Sequence, residues 1–292
     1  MEFLKDYLIF TQQIRNMQTI INAIHWNIDP ILFEIGSFGL RYYALCFLAA
    51  FAVSYAIMLK IFKQEGKSQE LLDQLSIYIF LGTLIGARLG HCLFYEFDYY
   101  SKHPLEMILP FRIVNGSFEL TGFQGLASHG GAIGILTALW MFCRKTKTDF
   151  MWIADRLVLV VPLAGAFVRL GNFFNSEIIG LPSTLPWAVV FEKIDSIPRH
   201  PAQLYEALAY VGIFFILWAV FKKGLPKQGY LLGLFFILLF SARFFLEFFK
   251  ENQEEFEQGM QFNMGQLLSI PFIAIGLYLM FRKTNEPNKI KK

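Results

Sequence analysis

Charge is scarce in this sequence: 26 Lys and Arg with 23 Asp and Glu make up only 17% of its 292 residues, while 55% are hydrophobic and 17% aromatic, 33 of them Phe. So few charges cannot cover a soluble globule of this size, and so much apolar matter excludes a disordered or collagen-like chain. An integral membrane protein remains. The net charge of +3 gives no reason to expect a nucleic-acid partner. Only three cysteines occur, Cys46, Cys92 and Cys143, each in apolar surroundings and none in a CxxC pair, so they read as packing residues. No HExxH or carboxylate-rich spacing surrounds His129 or His200, and there is no GxSxG and no Walker loop, so neither metal nor cofactor is expected. The first 41 residues hold no apolar run longer than Tyr7 to Phe10, so an interfacial extension is expected there and not the apolar region of a cleavable signal peptide. No internal repeat of the kind found in two-fold transporters is evident.

Apolar runs long enough for a span fall at about 42–62, 74–95, 126–143, 151–174, 203–221, 229–249 and 264–281. They predict an all-α polytopic membrane protein of about seven transmembrane helices. The expected organisation is an N-terminal extension (1–41), a seven-helix domain (42–281) with outer loops at about 96–125 and 175–202, and a basic tail (282–292). The linkers 63–73, 144–150 and 222–228 are short and basic, and with the tail and Lys60 at the inner end of the first span they gather fourteen Lys and Arg against eight on the other side. Cytoplasmic loops are enriched in these residues, so the N-terminus is expected outside and the C-terminus in the cytoplasm.

Four arginines fall within the apolar segments: Arg88, Arg156, Arg169 and Arg243. Each costs about 2.5–3.5 kcal/mol at a helix centre even on the lenient insertion scale, unless it meets a partner or a charged ligand. Arg156 follows Asp155, where a salt bridge and snorkelling suffice. The other three lie in the outer halves of their spans, with Glu247 one turn from Arg243. Under the charge-derived topology Tyr43, His129, Asn172, Gln203, Tyr205 and Glu206 converge on the same level. A structural ion pair would account for Arg243 with Glu247 but would leave Arg88 and Arg169 in need of an anion. Gly82, Gly86 and Gly90 form a small-residue ladder that permits close helix approach, and the Gly130 and Gly131 pair beside His129 could in addition turn backbone N–H groups towards an oxyanion. Guanidinium forks bind phosphate bidentately and stay charged in apolar surroundings. In a bilayer, phosphate belongs to lipid head groups. The residues alone therefore reach lipid-phosphate chemistry, an organic-anion transporter or channel, or a lipid-binding scaffold.

The strings RYYALCF (Arg41 to Phe47), GARLG (Gly86 to Gly90), SHGG (Ser128 to Gly131), RLGNFFNSEIIG (Arg169 to Gly180), RHPAQLYE (Arg199 to Glu206), RFFLEFF (Arg243 to Phe249) and MGQLLSIP (Met264 to Pro271) occur in order. Together they closely resemble the prolipoprotein diacylglyceryl transferase family. The resemblance implies a bacterial inner-membrane enzyme working at the outer leaflet. It would move the diacylglyceryl group of phosphatidylglycerol to the lipobox cysteine of a prolipoprotein signal peptide, leaving a thioether and glycerol phosphate. It further implies phosphatidylglycerol binding by Arg169 and Asn172, with Arg88, Glu177, Gly180 and Glu247 at motif positions beside Gly130 and Gly131, and catalytic parts for Arg243, Tyr43 and His129. On that basis Arg169 and Arg243 clamp the phosphodiester, and the cysteine thiol loses its proton either to His129 or to the arginine field. The chain departs from the family pattern at Ala44, Val168 and Lys250. Of these, Lys250 supplies charge without a bidentate fork.

Overall fold

Every apolar stretch expected to cross the membrane forms a helix. The structure is a computed structural model that describes residues 23–283 apart from 36–37, 109–110, 115–116, 121–124, 126, 252–256 and 258. Most of the expected N-terminal extension and of the basic tail lies outside the described residues. In chain order the elements begin with β1 (Ile24–Trp26), β2 (Ile31–Ile35), β3 (Phe38–Arg41), α1 (Tyr42–Gln64) and α2 (Gln69–Phe94). Next come the short α3 (Phe97–Tyr100) and α4 (Pro104–Ile108), the hairpin β4 (Phe111–Val114) and β5 (Ser117–Leu120), then α5 (Ser128–Thr146) and α6 (Phe150–Phe174). Strands β6 (Val189–Phe191) and β7 (Pro198–Arg199) precede α7 (Ala202–Lys223), α8 (Tyr230–Leu246) with a 3-10 turn at Glu247–Phe249, and α9 (Met264–Phe281).

Among the described residues, six of these helices are long and apolar enough to cross a membrane. The exception among the seven expected spans is α5. Its 19 residues include His129, three glycines and the basic pair Arg144 and Lys145, which dilute its hydropathy. The long helices carry bare apolar side chains outward, such as Leu48, Leu208, Phe215 and Phe281, as a lipid-facing surface requires. This is a multi-pass membrane protein.

The chain divides into two compact units, one of Met1–Ile57 with Ala154–Lys292, the other of Met58–Ile153. In the second unit Ser68 caps α2 by accepting from Leu71 N–H at 3.3 Å. Helix α2 then packs on α5 along a seam of glycines: a Cβ on Gly86 would lie 2.7 Å from Gly134 Cα, and one on Gly90 would lie 2.7 Å from Gly130 Cα. The expected ladder is therefore a backbone-to-backbone seam.

In the first unit β1 pairs in parallel with β6, which pairs antiparallel with β7, while β2 and β3 form a separate hairpin. Helices α8 and α9 meet at small residues, since a Cβ on Gly276 would lie 2.7 Å from Gly233 O, and Phe240 stacks on Phe272 at 4.3 Å. Asp155, expected as the partner of Arg156, also spends both oxygens capping α8, accepting from Gly229 N–H at 2.7 Å and Leu232 N–H at 2.9 Å. A helix start offers unsatisfied N–H groups, and a fully buried carboxylate answers them better than one neighbouring side chain would.

Candidate active site

The last turns of α6 carry Arg169 and Asn172, and the chain then folds back over them. Asn172 donates to Glu177 Oε2 at 2.9 Å, Asn175 donates to Glu177 Oε1 at 3.1 Å, and Gln203 of α7 donates to the Glu177 carbonyl at 2.6 Å. This net holds a backbone that would not adopt its shape unaided. Ser176 and Ile178 both have φ of 56°, and for a β-branched residue that region is strained. Tyr43, in the first turn of α1, lies flat against Gly171: a Cβ there would approach its Cδ2 to 2.7 Å. Its neighbour Tyr42 stacks on Phe174 at 4.6 Å with the rings 10° apart. The start of α1 is thereby docked on the end of α6, which brings the Tyr43 hydroxyl within electrostatic reach of Arg169 and Glu177.

A buried chain of alternating charge continues from Arg169. Its Nε lies 2.9 Å from Glu206, Glu206 lies 3.7 Å from Lys250, and Lys250 lies 3.1 Å from Glu247. Glu206, Lys250 and Glu247 are all buried. Gly265 makes room for the Glu247 carboxylate, because a Cβ there would stand 2.7 Å from its Cδ. The pairing of Glu247 with Lys250 corrects the expected Arg243–Glu247 ion pair. The primary ammonium beyond the helix end reaches both Glu247 oxygens, at 3.3 and 3.1 Å, and the helical i,i+4 neighbour does not. Among the described residues no carboxylate lies within ion-pair distance of Arg243. The buried Tyr210 hydroxyl feels the charge of both Arg169 and Arg243, which belong to the same unit.

Gly180 sits where three strands of chain cross. Its N–H donates to His200 O at 3.2 Å, Leu181 N–H donates to Phe249 O at 2.9 Å, and a Cβ on Gly180 would stand 2.6 Å from His200 Cβ and 2.7 Å from Phe249 O. Arg199 clasps the same crossing by donating to Asp195 at 2.6 Å, to Gly180 O at 3.2 Å and to Glu251. That clasp, which lies outside the spans, holds the Asp195 carboxyl below its usual range, and burial pushes the His200 imidazole down.

Tyr43, Arg169, Asn172, Glu177, Gly180, Arg243 and Glu247 thus belong to one unit. Arg88, His129, Gly130 and Gly131 belong to the other. Arg88 donates to Glu106 O at 2.6 Å, Met107 O at 3.1 Å and Tyr100 Oη at 3.1 Å, so it ties down the end of α4. His129 is exposed at the first turn of α5. Gly130 is packed against Gly90, and Gly131 N–H already donates to Ala127 O at 3.0 Å within the helix. Glu206 and Gln203 were visible in the sequence as polar residues opening a span, but their partners were not. Lys250 stood out only as a departure from a pattern. No group of three His, Cys, Asp or Glu side chains suited to a metal ion occurs among the described residues. What the arrangement offers is a cationic pair, one member braced and one unpartnered, among hydrogen-bonding neutral groups in a membrane helix bundle. That suits a monoanionic phosphodiester.

Residues 30–282 match the family model described as prolipoprotein diacylglyceryl transferase. The chain is 44% identical over 268 residues to the phosphatidylglycerol--prolipoprotein diacylglyceryl transferase of Bacteroides fragilis, covering 91% of this chain and 97% of that one. Similar matches occur to proteins of the same name from Tolumonas auensis, 46% identical over 90% of this chain and 98% of the relative, and Chloroherpeton thalassium, 42% identical over 90% and 95%.

Proposed function

The chain belongs to the prolipoprotein diacylglyceryl transferase family, and we infer that it transfers the diacylglyceryl group of phosphatidylglycerol to a prolipoprotein. The acceptor is the lipobox cysteine thiol at the end of a signal peptide. The sulfur attacks the glyceryl carbon, the carbon–oxygen bond breaks, and glycerol phosphate departs with the electron pair. The observation that carries the site assignment is the unequal state of the two arginines. Arg169 is braced by Glu206, whereas Arg243 has no carboxylate among the described residues and is left for the phosphodiester. Charge builds on the leaving phosphate as the bond breaks, so fixed guanidiniums stabilise the transition state more than the bound lipid. Lys250 offsets part of the charge of Glu206 and Glu247, which weakens their opposition to the field of the arginines. Asn172 and Tyr43 orient the head group.

The attacking thiol has a reference pKa of about 8.5 and must become a thiolate. His129 takes the proton, or the cationic chamber lowers the thiol pKa. The excess of Lys and Arg on the short loops supports a cytoplasmic C-terminus in the bacterial inner membrane, with the chamber open to the outer leaflet. Relatives named as transferases along most of the chain favour this reading over an organic-anion transporter. The test mixes the detergent-purified protein with phosphatidylglycerol and a lipobox-cysteine peptide and weighs the peptide. The expected result is a diacylglyceryl mass on the cysteine that disappears with Arg243→Ala. Bound lipid with an unmodified peptide would defeat the proposal.

A further inference from the structure

Beside the cations of the chamber stand acceptors without donors. Gln203 Oε1 and both carboxylate oxygens of Glu206 are buried with no hydrogen-bond donor in place, and so is Asn175 Oδ1. Glu206 is close enough to Arg169 for an ion pair, at 2.9 Å, but not aligned for a hydrogen bond. Gln203 and Glu206 are each fully buried, and three residues apart on α7 they share one face. Gln203 is also held in place from behind, because its amide N–H donates to Glu177 O at 2.6 Å and so fixes which way Oε1 points. Buried polar groups in native structures are almost always paired, and orphans of a single kind in one place need an explanation. On α7 every orphan is an acceptor, so what completes them is a donor, and a hydroxyl supplies one without adding charge.

Phosphatidylglycerol carries such donors. Its phosphodiester is an acceptor for Arg243 and Arg169, and the glycerol beyond it bears two free hydroxyls. We propose that Gln203 Oε1 and the Glu206 carboxylate receive the head-group hydroxyls of phosphatidylglycerol and thereby select it over other anionic phospholipids. This rests on the transferase reading and assigns head-group selectivity to residues of the same site. A site built to accept from a hydroxyl rejects an analogue lacking it, since its own buried acceptors then stay unpaired.

The experiment compares phosphatidylglycerol with phosphatidylpropanol, which keeps the phosphodiester and chain length and lacks both hydroxyls, as donors to the same lipobox peptide. The wild-type protein should show kcat/KM at least about tenfold higher for phosphatidylglycerol. Gln203→Met, similar in volume but without the acceptor, should pull that ratio towards one, mainly through the phosphatidylglycerol value. Gln203→Asn, which keeps an amide one carbon short, should lie between and serves if the Met variant does not fold. Equal use of the two lipids by the wild type would overturn the proposal whatever the variants do. An unchanged ratio in a folded Gln203 variant, with both rates falling together, would reduce Gln203 to a packing residue. Conversion of neither lipid by the wild type would strike the transferase reading itself and is distinguishable from both.

Discussion

Arg169 Nε lies 2.9 Å from the carboxylate of Glu206, a side chain with no exposed surface. Breaking a buried pair from one side leaves the other charge uncompensated, at a cost of about 3–5 kcal/mol. Arg169→Ala should therefore lose both transfer and stability, because Glu206 would keep only Lys250 at 3.7 Å. Arg243→Ala should behave differently. It orphans no carboxylate among the described residues, so transfer should fall by about 10²–10³ while the thermal unfolding midpoint stays near that of the wild type. Unfolding in detergent, measured beside peptide modification, checks the contrast. Equal destabilisation by the two substitutions would refute the idea of one braced and one unpartnered arginine.

Adjacent glycines in α5 should respond oppositely to a methyl group. A Cβ on Gly130 would stand 2.7 Å from Gly90 Cα and 3.1 Å from Gly90 N, where only backbone could yield, whereas the nearest atom to one on Gly131 is 3.6 Å away. Gly130→Ala should destabilise by about 1–3 kcal/mol through separation of α2 from α5. Gly131→Ala should be neutral or stabilising by up to about 1 kcal/mol, since alanine restricts the unfolded chain and suits a helix. If Gly131→Ala abolishes transfer while the protein stays folded, the glycine faces substrate and is more than a helix residue.

The clasp around Arg199 should make stability fall in two acid steps. Burial lowers the His200 pKa from its usual 6.5, so the unfolded chain binds that proton more readily than the folded one. Its contribution is whole above pH 6.5 and is lost as pH falls from there through the lowered folded value. Asp195 is likewise lowered from 3.8, chiefly by its hydrogen bond from Arg199, so its contribution persists to more acid pH and is lost only below the carboxylate range. Unfolding midpoints followed across pH should show both steps. His200→Phe should remove the upper and Arg199→Met the lower. A profile unchanged by Arg199→Met would show that the pair adds nothing.

The helices were legible because apolar length and terminal charge are local properties, and each expected span became a helix to within five residues at either end. The shortfall of α5 as a membrane crosser was legible too, in His129 and its glycines, but a run of apolar letters concealed it. The pairing of charges was not legible. Glu247 stands one turn from Arg243 on any helical wheel, yet its partner Lys250 lies past the helix end and also meets Glu206 from another helix. Asp155 beside Arg156 concealed a second role, since the start of α8, some 74 residues on, also takes the carboxylate. Arg88 resembled an anion site by depth, but carbonyls of a short helix satisfy it. Sequence spacing ranks neighbours along one helix. It does not see the competitor that another element brings, and buried charges go to whichever partner leaves the fewest groups unsatisfied.

His129 is the residue for which a chemical part can be separated from a structural one, because it is exposed at the start of α5 and little packing depends on it. If its imidazole accepts the thiol proton, His129→Gln should keep the wild-type unfolding midpoint and lose turnover by about 10²–10⁴, the span that general base catalysis supplies. A rate loss alone would also follow from a changed dipole near the substrate. His129→Ala with added imidazole separates the two, since a free base can enter the gap and restore proton transfer but cannot restore a fixed dipole. Recovery of peptide modification that rises with imidazole concentration would identify the base. Near-normal turnover in His129→Gln would leave thiolate formation to the field of Arg169 and Arg243, and the peptide reaction should then weaken with added salt to the extent that solvent reaches the chamber.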